Sequence, residues 1–235
     1  MSRLTPSARW SLVTLAWSWY KAMGEKRIAV LVSGGGTNLQ ALLDAQSRDE
    51  IQKGRIVLVL SSAEGAYALT RAEEAGVETC ICARKAYDSS RAMTQAIVRV
   101  LQAHQIDLVV LAGFLHILTE EMVAAYPNAI LNVHPALIPS FCGAGYYGLK
   151  VHEKALEYGV KLTGATVHFV TEEPDGGPIV LQKPVNIQEG DTPEVLQRRV
   201  MEEAEWVLLP KAVSLFCEGR LQVDGRIVHI LPESP

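Results

Sequence analysis

The chain has 235 residues, of which 49% are hydrophobic and 20% charged, and its formal net charge is -4. This is the length of one large domain or two small ones with an ordinary globular composition, and the acidic balance leaves no basic patch for RNA or DNA. No apolar run is long enough to cross a bilayer, and Cys80, Cys82, Cys142 and Cys217 form no CxxC pair, so neither a membrane anchor nor a metal site is expected and a reducing, cytoplasmic setting fits.

At the start, "WSLVTLAWSW" follows Arg3 and Arg9, a faint likeness to a signal peptide without a small-residue cleavage site. Residues 1–25 are read as an extension, with Met23 as an alternative start. Then "RIAVLVS" (27–33) is a continuous apolar run, as a strand covered on both faces requires. "SGGGTNLQ" follows and opens a helix in which Leu39, Leu42 and Leu43 recur at helical spacing. The same alternation continues through a strand at 55–62, a helix stopped by Gly76, a strand at 77–83 and a helix that Ser89 or Ser90 can cap. A strand at 107–113, a short helix at 119–127 and a strand at 129–134 complete the series. Repeated βα order predicts a parallel sheet with right-handed crossovers.

The remainder reads differently. A helix at 151–159 precedes a long β-branched strand at 162–173 and a further strand at 177–187, which Pro184 assigns to an edge. A long helix follows at 192–219, capped by Thr192 with Pro193 in the first position, and Pro210 is expected to kink or break it. Asp224-Gly225 signals a closing hairpin. No repeat or linker divides the chain, so residues 26–230 are read as a single domain.

Three places carry chemistry. Glycines and a helix N-terminus suit one phosphate at Gly36, Thr37 and Asn38. The dinucleotide pattern fails there because Leu39 stands where its third glycine belongs, and no lysine completes a Walker loop. A plain tight turn is the competing reading. In "ILNVHPALIPSF", Asn132 and His134 are two apart on a strand, so they project to one face at its carboxyl end, where open α/β sheets bind ligands. In "TEEPDGGPIV", Asp175 precedes Gly176-Gly177-Pro178, either an ordinary turn or a mount for a carboxylate. His168, alone in its strand, is read as packing or as a satisfied polar group.

In order and spacing, "VLVSGGGTNLQALLDA", "DLVVLAGFLHIL", "ILNVHPALIPSF", "HFVTEEPDGGPIVLQ" and "LFCEGRLQ" resemble the phosphoribosylglycinamide formyltransferase family, from about residue 26 to about residue 220. The resemblance implies an α/β, Rossmann-like formyltransferase fold, with helices on both faces of a mostly parallel twisted sheet of about seven strands. It implies formyl transfer from 10-formyltetrahydrofolate to the amine of 5-phosphoribosyl-glycinamide, in de novo purine (IMP) synthesis, without a metal. The partners would be small molecules, and the protein a monomer or homodimer. Asn132, His134 and Asp175 fall on the family's catalytic trio. Gly36, Thr37 and Asn38 would take the substrate phosphate, with Glu202 and Glu205 on the ribosyl glycinamide; three apart, the two glutamates are expected to share a helix face. Folate would lie against Leu115, His116, Ile117 and Leu118, against Thr171, Glu172, Glu173, Pro174 and Asp175, and beside Asn132 and Arg91. Asp175 would raise the pKa of His134.

Four departures from the family stand out. His116 replaces a common arginine, and Ser90 aligns with a folate-contacting arginine, with Arg91 next to it. The stretch after Ser140 is longer than usual, and one extra residue lies between Val200 and Glu205. Formyltetrahydrofolate hydrolase and methionyl-tRNA formyltransferase use added regulatory or tRNA-binding domains with no counterpart in these residues. Sugar amine formyltransferases are a minor alternative, and a catalytically dead binding module would not need the intact trio.

Overall fold

The computed structural model describes residues 24–233, and the expectation for residues 1–22 lies outside them. Seven strands form one sheet: β1 (Lys26–Val32), β2 (Gly54–Ser61), β3 (Glu78–Ile81), β4 (Leu108–Leu111), β5 (Ile130–His134), β6 (Leu162–Phe169) and β7 (Ile179–Asn186). Their order is β3-β2-β1-β4-β5-β6-β7. The first five run parallel, while β6 and β7 pair antiparallel, which makes the sheet mixed. Direction first changes at β6, which pairs antiparallel with β5 although a helix lies in the connection, and β7 then follows β6 through a turn too short for a crossover.

Helices cover both faces because the strands bury alternate residues on opposite sides. Ile28, Val30 and Val32 face one core, with residues of α1 (Thr37–Ser47), α2 (Tyr67–Glu74), α6 (Pro193–Val200) and α7 (Trp206–Cys217). Ala29 and Leu31 face the other, with α3 (Ser90–Ala103) and α4 (Glu120–Ala125). The remaining helix, α5 (Leu149–Tyr158), packs toward the first core through Leu156. Each fully buried leucine such as Leu31 contributes about 1.5–3 kcal/mol. Ser89 caps α3 by accepting from the Ala92 N–H, and Thr192 caps α6 by accepting from the Val195 N–H.

Two expectations need correction. The strand from Leu162 ends at Phe169 rather than continuing to residue 173, because the Phe169 N–H bonds the Pro178 carbonyl and the chain turns between them. The long helix is interrupted, but not at Pro210, which lies inside α7. Instead Met201–Glu205 forms a π turn, in which the Trp206 N–H bonds the carbonyl of Met201, five residues back. A π turn holds one residue more than an α turn, and buried residues lie on both sides of it, Leu196 and Val200 before and Leu208 and Leu209 after. β8 (Leu221–Asp224) and β9 (Ile227–Ile230) make the hairpin that Asp224-Gly225 signals, with Gly225 at φ 58°.

Candidate active site

The carboxyl ends of β1, β4 and β5 lie side by side, and strand order reverses between β1 and β4. Such a switch point opens a crevice at the sheet's edge. The glycine loop leaves β1 into it, the segment through Leu118 leaves β4, and Asn132 and His134 end β5. Ser33 ties two of these exits, because its Oγ accepts from the Leu115 N–H at 2.9 Å.

Asp175 reaches the pair from the turn between β6 and β7, where it holds φ 54°. The turn needs Gly177, since a Cβ there would stand 1.8 Å from the Phe169 carbonyl oxygen. Asp175 Oδ2 accepts from the Gly143 N–H at 2.9 Å and lies 3.4 Å from His134 Nδ1. Its Oδ1 lies 3.5 Å from Asn132 Nδ2. The three expected residues therefore converge. His134 donates from Nε2 to the Phe141 carbonyl at 2.8 Å, which leaves Nδ1 facing the carboxylate.

His168, read from sequence as packing or a satisfied polar group, is the latter and belongs to this cluster. It pairs directly with Asn132 across β5 and β6, so the two side chains share a face. Its Nδ1 donates to the Phe169 carbonyl at 2.8 Å, so Nε2 is the acceptor that meets Asn132 Nδ2 at 3.1 Å. That contact fixes which way the amide points. Period-two patterning places His168 on one face of a strand, but the neighbour on that face depends on a pairing 36 residues away.

Burial is the largest influence on His134 and pushes its pKa down; the Asp175 carboxylate and the Phe141 carbonyl pull it up without reversing the direction. The expectation of a raised histidine is thus corrected: the carboxylate acts with the expected sign, but the ring is 4% exposed and desolvation of its cation outweighs it. Asp175 is also pushed up by burial, yet contact with His168, the charge of His134 and the Gly143 N–H hold it below the ordinary carboxylate value.

A cleft of about 150 Å³ opens beside the trio. His116, Ile117, Leu118, Asn132 and Thr171–Asp175 line it as expected, and Leu111, Phe114, His168 and Val170 join them. Leu115 lies outside this lining, with its side chain in solvent. Arg91 is not brought to the cleft either. It ion-pairs with Glu120 and Glu121 on the surface, because the first turn of α3 faces α4 there.

At the glycine loop, Gly36 precedes α1 at φ 72°, a left-handed conformation that suits glycine. Thr37 is exposed, whereas the Asn38 side chain turns inward and donates to Glu205 Oε2 at 2.6 Å. Glu205 is 6% exposed, and desolvation, opposed by the Asn38 amide, pushes its pKa up to about 7. Glu202 is not with it: it faces solvent and pairs with Arg198 at 2.9 Å. The expected shared face fails because the π turn adds a residue and rotates Glu202 away from the side that Glu205 occupies. Asn38 Oδ1 has no hydrogen-bond partner among the described residues, so one acceptor beside Glu205 points to an unmet donor.

Residues 26–213 match the formyl transferase family. A phosphoribosylglycinamide formyltransferase of Haemophilus influenzae is 39% identical over 89% of this chain and 97% of its own length. The trifunctional purine biosynthetic protein adenosine-3 of Gallus gallus is 43% identical over 84% of this chain, which spans only 19% of that larger protein. In structure, glycinamide ribonucleotide transformylase 1 from Symbiobacterium toebii superposes with a TM-score of 0.84 at 47% identity, covering 89% of this chain and 95% of that one. With the match running from β1 into α7, the chain belongs to the formyl transferase family and groups with its phosphoribosylglycinamide formyltransferases.

Proposed function

We propose that this protein transfers a formyl group from 10-formyltetrahydrofolate to the amine of 5-phosphoribosyl-glycinamide, a step of de novo purine synthesis, acting on small molecules in the cytoplasm as a monomer or homodimer. The observation that carries this reading is the convergence of Asn132, His134 and Asp175 at the mouth of a cleft. The cleft's volume is below the roughly 300–1,000 Å³ of a site that encloses a drug-sized ligand, so the head of a folate fits inside and its tail lies along the surface. Apolar Leu111, Ile117 and Val170 suit the faces of a flat ring, and the backbone of Thr171–Asp175 offers polar groups to its edge.

When the amine attacks the formyl carbon, negative charge grows on the formyl oxygen. Asn132 uses one amide hydrogen on His168; the other, with only a 3.5 Å contact to Asp175, is free to turn to that oxygen. Asp175, ionised and beside His134, accepts the proton released from the attacking amine, directly or through a water. Nδ1 of His134 faces that carboxylate, so a proton passed there converts two opposed acceptors into an ion pair. The protonated ring then returns a proton to the departing folate nitrogen. The amide–carboxylate pair of Asn38 and Glu205 supports binding of the glycinamide end, and the start of α1 supports binding of the phosphate.

The test is formyl transfer measured against glycinamide ribonucleotide, UDP-amino sugars and water as acceptors. Turnover should be confined to the ribonucleotide. Dominant hydrolysis, or preference for a sugar nucleotide, would replace this reading with a deformylase or a sugar formyltransferase.

A further inference from the structure

Resting on the reading of the glycine loop as a phosphate site, we propose that Arg71 is a positioning residue of that loop: from helix α2 it sets which way the loop's N–H groups point. Its Nε donates to the Gly35 carbonyl at 2.9 Å. Its Nη1 donates to Gln40 Oε1 at 2.8 Å, and the Gln40 N–H bonds the Gly36 carbonyl in the first turn of α1. The guanidinium also lies over the Tyr67 ring, 4.9 Å from its centroid, which holds it in place. One group thus spans the loop and the helix that follows it.

The consequence follows from the peptide bond. In a trans peptide the carbonyl and the next N–H point in opposite directions. Drawing the Gly35 carbonyl toward α2 therefore aims the Gly36 N–H away from α2. The neighbouring bond repeats the arrangement: the Ala68 N–H holds the Gly34 carbonyl at 3.1 Å, which aims the Gly35 N–H outward as well. Gly36 cannot drift back, because it packs so closely on Ala68 that a Cβ would stand 2.6 Å from the alanine's own Cβ. Gly34, Gly35 and Thr37 are exposed, so the aligned donors open to solvent next to the unpaired N–H groups of the helix start. An isolated flexible turn would have to order these donors on binding, and Arg71 orders them beforehand.

The experiment compares kcat/KM for glycinamide ribonucleotide with that for its 5′-dephosphorylated riboside, in the wild type and in Arg71→Met and Arg71→Lys. Methionine should lower the ribonucleotide value about 10- to 100-fold, the range for losing hydrogen bonds to a charged group, through KM rather than kcat. The riboside value and the folate KM should change less than about threefold, since neither engages the aligned donors. Lysine keeps the charge but cannot bridge Gly35 and Gln40 together, so its loss should fall between those of the wild type and methionine. An equal fall for ribonucleotide and riboside, in either variant, would mean general damage to the fold and would overturn the proposal. An unchanged ribonucleotide KM would overturn it too. A wild-type enzyme that does not favour the ribonucleotide over the riboside would instead remove the phosphate reading itself, a result separable from any effect of Arg71.

Discussion

At His134 two opposing influences meet, and their balance is open to measurement. Burial lowers the imidazole pKa, and Asp175 partly restores it. Asp175→Asn keeps the size of the side chain and removes the restoring charge, so the histidine should titrate still lower, as followed by NMR. Turnover should fall on the order of 10²–10⁴-fold, as it should for His134→Ala. The double variant should lose much less than the product of the two, because in the proposed mechanism the residues act on one proton. An unchanged histidine pKa with fully multiplicative losses would mean that they work independently. Glu205 supports a second expectation. Its pKa near 7 when folded lies above its unfolded value near 4.5, so the folded state favours the protonated acid. Stability should therefore be highest below pH 4.5 as far as this group is concerned, should fall from there to pH 7, and should change no further above that, by an amount on the order of 3 kcal/mol. Glu205→Gln should remove this slope and raise stability above neutral pH, as read by denaturant unfolding at several pH values. A slope that survives the substitution would assign it to other groups.

The elements that carry the site are short and tightly constrained. The turn between β6 and β7 places Asp175, and its two glycines are not equivalent. A Cβ on Gly177 would meet the Phe169 backbone at 1.8 Å, whereas one on Gly176 would first meet the Glu173 side chain, from Cγ at 2.6 Å to Oε2 at 2.5 Å. Gly177→Ala should cost roughly 1–3 kcal/mol by forcing backbone shifts, and should also reduce turnover by displacing Asp175. Gly176→Ala should cost less than Gly177→Ala in both thermal unfolding and turnover, because a side chain and not the backbone must move. Equal behaviour of the two would show that the backbone contact is relieved without moving the turn. The π turn at Met201–Glu205 is the other constrained element. Deleting Glu203 should return the segment to a regular α-helix with the fold intact and with Tm shifted by no more than a few degrees, about 1 kcal/mol for a chain of this size. Failure to fold would show that the bulge is required for the faces of α6 and α7 to reach the core together.

For the whole molecule, the family match begins where β1 begins, and the motifs that carry chemistry all lie beyond it. A chain starting at Met23 should keep its turnover with both substrates; loss of folding or activity would make residues 1–22 part of the core or of a subunit contact. Sequence alone determined the alternating elements of this molecule, because strand and helix periodicities are local and a doubly covered strand must read as an apolar run. It also determined the helix caps, the closing hairpin and the projection of Asn132 and His134 to one face, which their spacing fixes, whereas the turn at Asp175 joined them only through the family resemblance. Tertiary structure alone decided the rest. His168 joined the site through a cross-strand register, and Arg71 met the glycine loop from a helix more than thirty residues away. Glu202 left the site because a one-residue bulge turned it to solvent, and the direction of the His134 shift came from how much protein covers the ring. Spacing fixes where a side chain points relative to its own element; desolvation and partners depend on what the folded chain packs against that element, and no local pattern encodes that.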